Sequence, residues 1–256
     1  MSSYAAYTWL EAKRQWRSRD ILIFRLGIPV AIYLILQATA DSNSQSASPT
    51  RWSFDVASPL PDETVRMLAM AALAAVISGL AAGPALADER ANGWLRQLRV
   101  TPLRPSAAVT AKIAVAMSFA LPAIAFVAAA AGITESVSLD WTQWLQVVGL
   151  MWLATTPITA IGTLIGLAFH AEIAQAVHTL AWVILWLLGG IFTPTGDMPG
   201  PIAAIGEHLP SNSVIELGWA AAASDTIPPS ALATLTAWTV ATGALAVIAW
   251  RRVISR

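Results

Sequence analysis

The stretch from Asp88 to Pro105 reads DERANGWLRQLRVTPLRP. It is a charged island in an apolar chain, with long apolar runs on both sides. Five of the fifteen Lys and Arg residues lie in or just past it: Arg90, Arg96, Arg99, Arg104 and Lys112. Such an element between two membrane spans either fixes orientation as a solvated loop or offers a docking surface to a cytosolic partner. Its pattern favours local structure. Asn92-Gly93 breaks the preceding run. Trp94, Leu95 and Leu98 share one helical face, while Arg96, Gln97 and Arg99 point elsewhere. Thr101-Pro102 stops the helix, because the residue before a proline disfavours the helical region. Pro105-Ser106 starts the next one, with Ser106 as a candidate cap. A helix of one or two turns is not stable alone, so its apolar face needs the bilayer surface or a protein groove.

The flanks set the class. Of 256 residues, 56% are hydrophobic and 12% charged, against roughly 25% charged in soluble domains. Several apolar runs approach the length of about 20 residues that crosses a bilayer. The expected fold is all-α: a polytopic membrane protein with six transmembrane helices in a single transmembrane domain over 1–256. The spans are expected near 21–38, 64–87, 106–131, 141–169, 176–192 and 231–250. Pro29 is an expected kink in span one; Pro84 lies near the cytosolic end of span two, and span four contains Pro157. Arg25 and Lys112 lie in end turns, from which a long cationic side chain can reach the headgroups. Twelve Trp residues suit interfacial belts.

Residues 1–20 are expected to belong to the mature protein, with no cleavable signal. Ala5, Trp9, Ala12 and Trp16 recur at helical spacing among Lys13, Arg14, Arg17 and Arg19. That reads as an amphipathic helix on the membrane surface, or else as a basic tail. Asp41 to Glu63, rich in Ser, Asp and Pro, reads as an irregular extracytoplasmic loop. His170 to Gln175 reads as a tight turn. The segment 193–230 is too long and too polar for a turn and too apolar for a disordered linker. Its pieces Ile202–Leu209 and Val214–Ala223, set between prolines and glycines, suit extracytoplasmic re-entrant helices before span six.

Charge sets the orientation. With both termini cytosolic, thirteen of the fifteen basic residues fall inside and only Arg51 and Arg66 outside. Five acids fall inside (Glu11, Asp20, Asp88, Glu89, Glu172) and ten outside.

Several chemistries find no support. There are no cysteines, and neither Lys13 nor Lys112 sits in a phosphate-binding GxxxxGK[ST] loop. No ionisable residue lies deep within spans three to six, where ion-coupled carriers keep one. His170 and His178 would stand about 12 Å apart along a helix, too far to share a metal ion, so no metal site is expected. No GxSxG or HExxH pattern marks a hydrolase.

At this point the sequence resembles the ABC-2 family of ABC-transporter permeases, the membrane subunits of ATP-driven exporters. The pattern E-(x)n-G-[TW]-L-x-x-L-x-x-[TS]-P stands here as Glu89 to Pro102, with Trp94 where threonine is commoner. Lys112 follows at the start of span three. LLGGIFTPTGDMPG from Leu187 and LPSNSVIELGWAA from Leu209 resemble the family's end of span five and its segment before span six. The resemblance runs through nearly the whole chain.

It implies that 88–105 is a cytosolic coupling helix docking into a separate ATP-binding cassette subunit, which would bind the ATP and Mg. This chain would carry no cofactor and no catalytic residue. The partner-facing residues would be Asp88, Glu89, Arg90, Gly93, Trp94, Leu95, Arg96, Leu98, Arg99, Thr101 and Pro102. Trp94, Leu95 and Leu98 would be buried in the groove, and Asp88, Glu89, Arg96 and Arg99 would form rim charge pairs. A second permease copy or a paralogue would complete the channel; membrane lipids are expected partners and nucleic acid is not. Thr155, Thr156, Pro157 and Thr159 are candidates for the substrate path, with packing by small residues as the other reading. The apolar spans suit an amphipathic or lipid-like cargo, such as a drug, antibiotic or lipid, leaving a bacterial inner membrane. A non-transporting assembly or sensor protein, and an intramembrane enzyme or channel, remain as other readings.

Overall fold

The computed structural model describes residues 8–10, 12, 13, 16, 26–43, 60–93, 105–134 and 137–255. Helices make up the structure, and no strand occurs among the described residues. In order they are α1 (Ile28–Asn43), α2 (Asp62–Leu80), α3 (Ala82–Ala91), α4 (Pro105–Ile133), α5 (Trp141–Ala154), α6 (Thr156–Ala168) and α7 (Ala171–Leu187). After a 3-10 turn at Thr195–Asp197 come α8 (Gly200–Gly206), α9 (Pro210–Ala223) and α10 (Pro229–Ser255). Trp94, Leu95, Arg96, Leu98, Arg99, Thr101 and Pro102 lie outside the described residues. So do most of the expected loop at 41–63 and the first turns expected of span one.

Among the described residues, four helical stretches are long and apolar enough to cross a membrane: Asp62–Ala91, Val109–Ile133, Trp141–Ala168 and Pro229–Arg252. Two shorter apolar helices, Ile28–Thr39 and Ala171–Leu187, fall where spans one and five are expected. The chain is thus an all-helical membrane protein. The N-terminal segment is helical at its described positions, and Trp16 stacks on Phe119 of α4 with ring centroids 4.7 Å apart.

The centre is α2. From Thr64 to Leu80 every residue but Arg66 and Ile77 is buried, as expected of a helix that is apolar all round. It is packed by α1, α4, α6 and α9. At the other extreme, α10 exposes Leu232, Val240, Leu245 and Ile248.

Two spans are broken, each by a proline. Pro84 has no N–H for the carbonyl of Leu80 and its ring crowds that oxygen, and the helix is interrupted at Ala81. Pro157 does the same to Leu153, separating α5 from α6 at Thr155. The freed Leu153 carbonyl accepts the Thr156 hydroxyl at 2.6 Å. Expected span four is therefore two helices.

Other boundaries shift for local reasons. The turn expected at His170–Gln175 is confined to Phe169 and His170, both with extended backbone, and α7 starts at Ala171. It ends at Leu187 rather than at Phe192, because Gly189-Gly190 follows with Gly190 at φ +74, a left-handed helix stop. The apolar pieces expected within 193–230 are helical, as α8 and α9.

The helix ends sort into two sets. At one end, Leu86, Val109, Ala111, Leu167, Ala246 and Trp250 form one apolar cluster. At the other, Gln143 Nε2 donates to the Ala222 carbonyl at 2.8 Å and to Ser224 Oγ at 3.1 Å. There too, Trp238 Nε1 donates to the His208 carbonyl at 2.8 Å.

Candidate coupling junction

The residues before and after the undescribed 94–104 stretch meet at the first of these ends. Three contacts hold them.

The first is a backbone seam between spans two and four. Gly79 and Gly83 are four apart on α2 and α3, and Gly162 and Gly166 are four apart on α6. A methyl on Gly83 would come within 2.8 Å of the Gly162 carbonyl oxygen. One on Gly162 would lie 2.8 Å from the Leu80 oxygen, and Gly166 faces the Gly83 carbonyl as closely. Backbones approach this closely only where small residues stand on both sides. The Leu80 oxygen is the one Pro84 frees, so Gly162 packs against an acceptor left open by the break. Gly79 lies against Thr155 and Ile158, which sets the two breaks side by side.

The second contact lies two turns further on. Arg90, in the last turn of α3, directs one guanidinium nitrogen at three carbonyls: Gly166 at 3.0 Å, Leu167 at 2.7 Å and Phe169 at 3.0 Å. The first two are end carbonyls of α6, which have no partner within their own helix and form the negative end of its dipole; the third belongs to the extended residue after it. A cation there is favourable on both counts. Two hydrogens serve three oxygens, so the contacts do not add as three full bonds.

The third is an ion pair. Lys112 Nζ lies 2.6 Å from Glu89 Oε2, with side chains only 4% and 7% exposed. It ties the end of α3 to the second turn of α4. Lys112, expected to reach the headgroups, instead turns inward. Glu89, expected among rim charges, is held inside the chain, and Arg90 is half-buried against the end of α6. Asp88 is exposed, and Gly93 adopts φ +73 in the turn after Asn92.

The junction thus brings together Glu89, Arg90 and Lys112. It leaves Asp88 on the surface. Thr155, Pro157 and Thr159 are buried within the chain, Thr155 beside Gly79 of span two. Thr155 and Thr159 donate to the Met151 and Thr156 carbonyls at 2.8 and 2.7 Å, and Thr156 is part-buried. The seam went unread in the sequence, although its signal stands in SGLAAG and IGTLIG, two pairs of glycines at the small-xxx-small spacing. The role of Arg90 carried no such signal, because its partners are backbone atoms. Among the described residues no group of three His, Cys, Asp or Glu is placed to hold a metal.

The profile of the family described as ABC-2 type transporter matches residues 2–217. The chain belongs to the ABC-2 type transporter family. Members are transport permeases, normally paired with an ATP-binding subunit. One relative, "Putative transport permease YvfS" of Bacillus subtilis (strain 168), is 24% identical over 206 residues, covering 78% of each chain. The family profile spans the junction and both glycine pairs.

In this ABC-2 chain the other two resembling segments also meet. A methyl on Gly190 would lie 2.8 Å from Asn212 Oδ1, Gly189 packs against Ser211, and Gly206 abuts the Leu188 carbonyl. Asn212 Nδ2 donates to Glu216 Oε1 at 2.8 Å. Burial pushes the Glu216 carboxyl above its ordinary value; the Asn212 hydrogen bond opposes this and the Glu207 charge adds to it.

Proposed function

We propose that this chain is the membrane-spanning subunit of an ABC exporter. It moves an amphipathic or lipid-like substrate out of the cytosol, driven by ATP hydrolysis in a separate ATP-binding subunit. In this reading the chain crosses a bacterial inner membrane six times with both termini inside. It pairs with a second copy or a paralogue, and its partner binds the ATP and Mg. The curated relative bears the name of a transport permease, which supports the reading.

The observation that carries it is the junction. Both flanks of 94–104 are locked to each other and to the end of span four. A force delivered to that stretch therefore reaches three spans at once. Trp94, Leu95 and Leu98 dock into the partner's groove, and closure of two such partners drives the permease from inward-open to outward-open. The segment around α8 and α9 forms the outer gate.

The test is Leu95→Asp with Leu98→Asp in the complex with the ATP-binding subunit. Membrane insertion persists and substrate-stimulated ATPase is lost. Full coupling in the double variant contradicts the proposal.

A further inference from the structure

Arg90 precedes the docking stretch by four residues, yet its guanidinium points into the chain. Its three carbonyl partners belong to the end of α6 and the turn after it. The same helix is joined to α3 along the glycine seam. Spans two and four are both interrupted one helix further out, at Ala81 and Thr155, and Gly79 sets those interruptions in contact. The halves beyond the breaks are packed differently: Gly218 of α9 is wedged between Leu68 of α2 and Met151 of α5.

Each span is therefore rigid above and below a proline break, and the two lower halves share backbone contact and an end cap. A helix deforms most readily where a proline has removed a hydrogen bond. The Thr155 break stands beside Gly79, just before the Ala81 break, and Gly162 packs on Gly79 and Leu80 at the end of α2, so the two breaks adjoin within the seam and the lower halves can tilt together about a line through both.

We propose that Arg90 is a positioning residue that makes α3 and α6 one lever, pivoting at Ala81 and Thr155. It passes movement of the 94–104 stretch to span four rather than touching the ATP-binding partner. This rests on the exporter reading, in which that stretch is pushed by a partner.

The chain has no cysteine, so engineered cysteines carry spin labels cleanly. Asn92, His170 and Ile133 are exposed; Ile133, at the far end of α4, serves as the reference. Label pairs 92/133 and 170/133 are placed in separate complexes with the ATP-binding subunit, in lipid nanodiscs, diluted with unlabelled permease. Distances are measured by pulsed electron paramagnetic resonance, nucleotide-free and ATP-trapped. In the parent, both distances shift on ATP trapping. In Arg90→Met, the 92/133 shift persists and most of the 170/133 shift is lost. Arg90→Lys, which restores a cation at the carbonyls, recovers part of it.

Arg90→Met must still capture the partner. If capture is lost, Arg90 is a docking residue and the inference falls. A 170/133 shift that survives Arg90→Met intact also overturns it. If neither distance responds to ATP in the parent, the exporter reading itself fails.

Discussion

Removing one half of the Glu89–Lys112 pair is the most informative perturbation of the junction. Both side chains are nearly inaccessible, and the pair is 2.6 Å long. Lys112→Met takes the Lys112 ammonium away from the buried Glu89 carboxylate. Breaking a buried pair in this way typically costs about 3–5 kcal/mol. Glu89→Met takes the Glu89 carboxylate away from the Lys112 ammonium. The double replacement removes both charges and keeps comparable volume, a change often neutral or stabilising by about 1–4 kcal/mol. The three variants close a double-mutant cycle. Equilibrium unfolding in mixed detergents, followed by far-UV circular dichroism, gives the free energies. Each single variant is expected to lose about 3 kcal/mol or more, roughly two orders of magnitude in the folding constant. The double variant should return close to the parent. If either single variant stays within about 0.5 kcal/mol of the parent, the pair is not buried as described. A double variant as unstable as the two singles combined would show that the two charges do not act on each other.

The glycine seam predicts a position-dependent response to one added methyl. Gly162→Ala pushes a Cβ to 2.8 Å from the Leu80 oxygen and should cost about 1–3 kcal/mol. Gly243→Ala, with nothing within 4 Å, should be neutral or gain about 0.5–1 kcal/mol from helix propensity; thermal aggregation midpoints of the two variants distinguish the cases. Glu216 sets a pH dependence. Its folded carboxyl holds a proton more tightly than the unfolded one, so its contribution is full below the ordinary carboxylate value and falls as pH rises through the raised one. Glu216→Gln should flatten that part of the stability profile and stabilise the protein above it; an unchanged profile would contradict the assignment.

Much of the architecture was legible because membrane spans announce themselves by length and apolarity. Spans two, three, four and six stand close to where the apolar runs put them. Span ends moved where backbone chemistry outranks hydropathy. Gly189-Gly190 stops α7 inside an apolar run, and Pro157 divides a run that looks continuous. The charged residues were harder. Glu89, Arg90 and Lys112 read as surface charges because a sequence shows charge and spacing but not the partner that would permit burial. Lys112 finds Glu89, twenty-three residues away, and Arg90 finds main-chain oxygens that have no sequence signature at all. The glycine pairs could have been read, since their spacing is explicit in both spans. What pairs them is the crossing of two helices separated by all of span three.

In the proposed exporter, the permease works with a separate ATP-binding subunit docked on 94–104. The most direct measurement is affinity purification of the intact chain from its native membrane, with mass spectrometry of what co-purifies and an ATPase assay on the product. An ATP-binding cassette subunit is expected in near-stoichiometric amount together with ATP hydrolysis, both lost in Leu95→Asp/Leu98→Asp. Recovery of the folded chain with no nucleotide-binding partner, or capture that survives the double substitution undiminished, would contradict it.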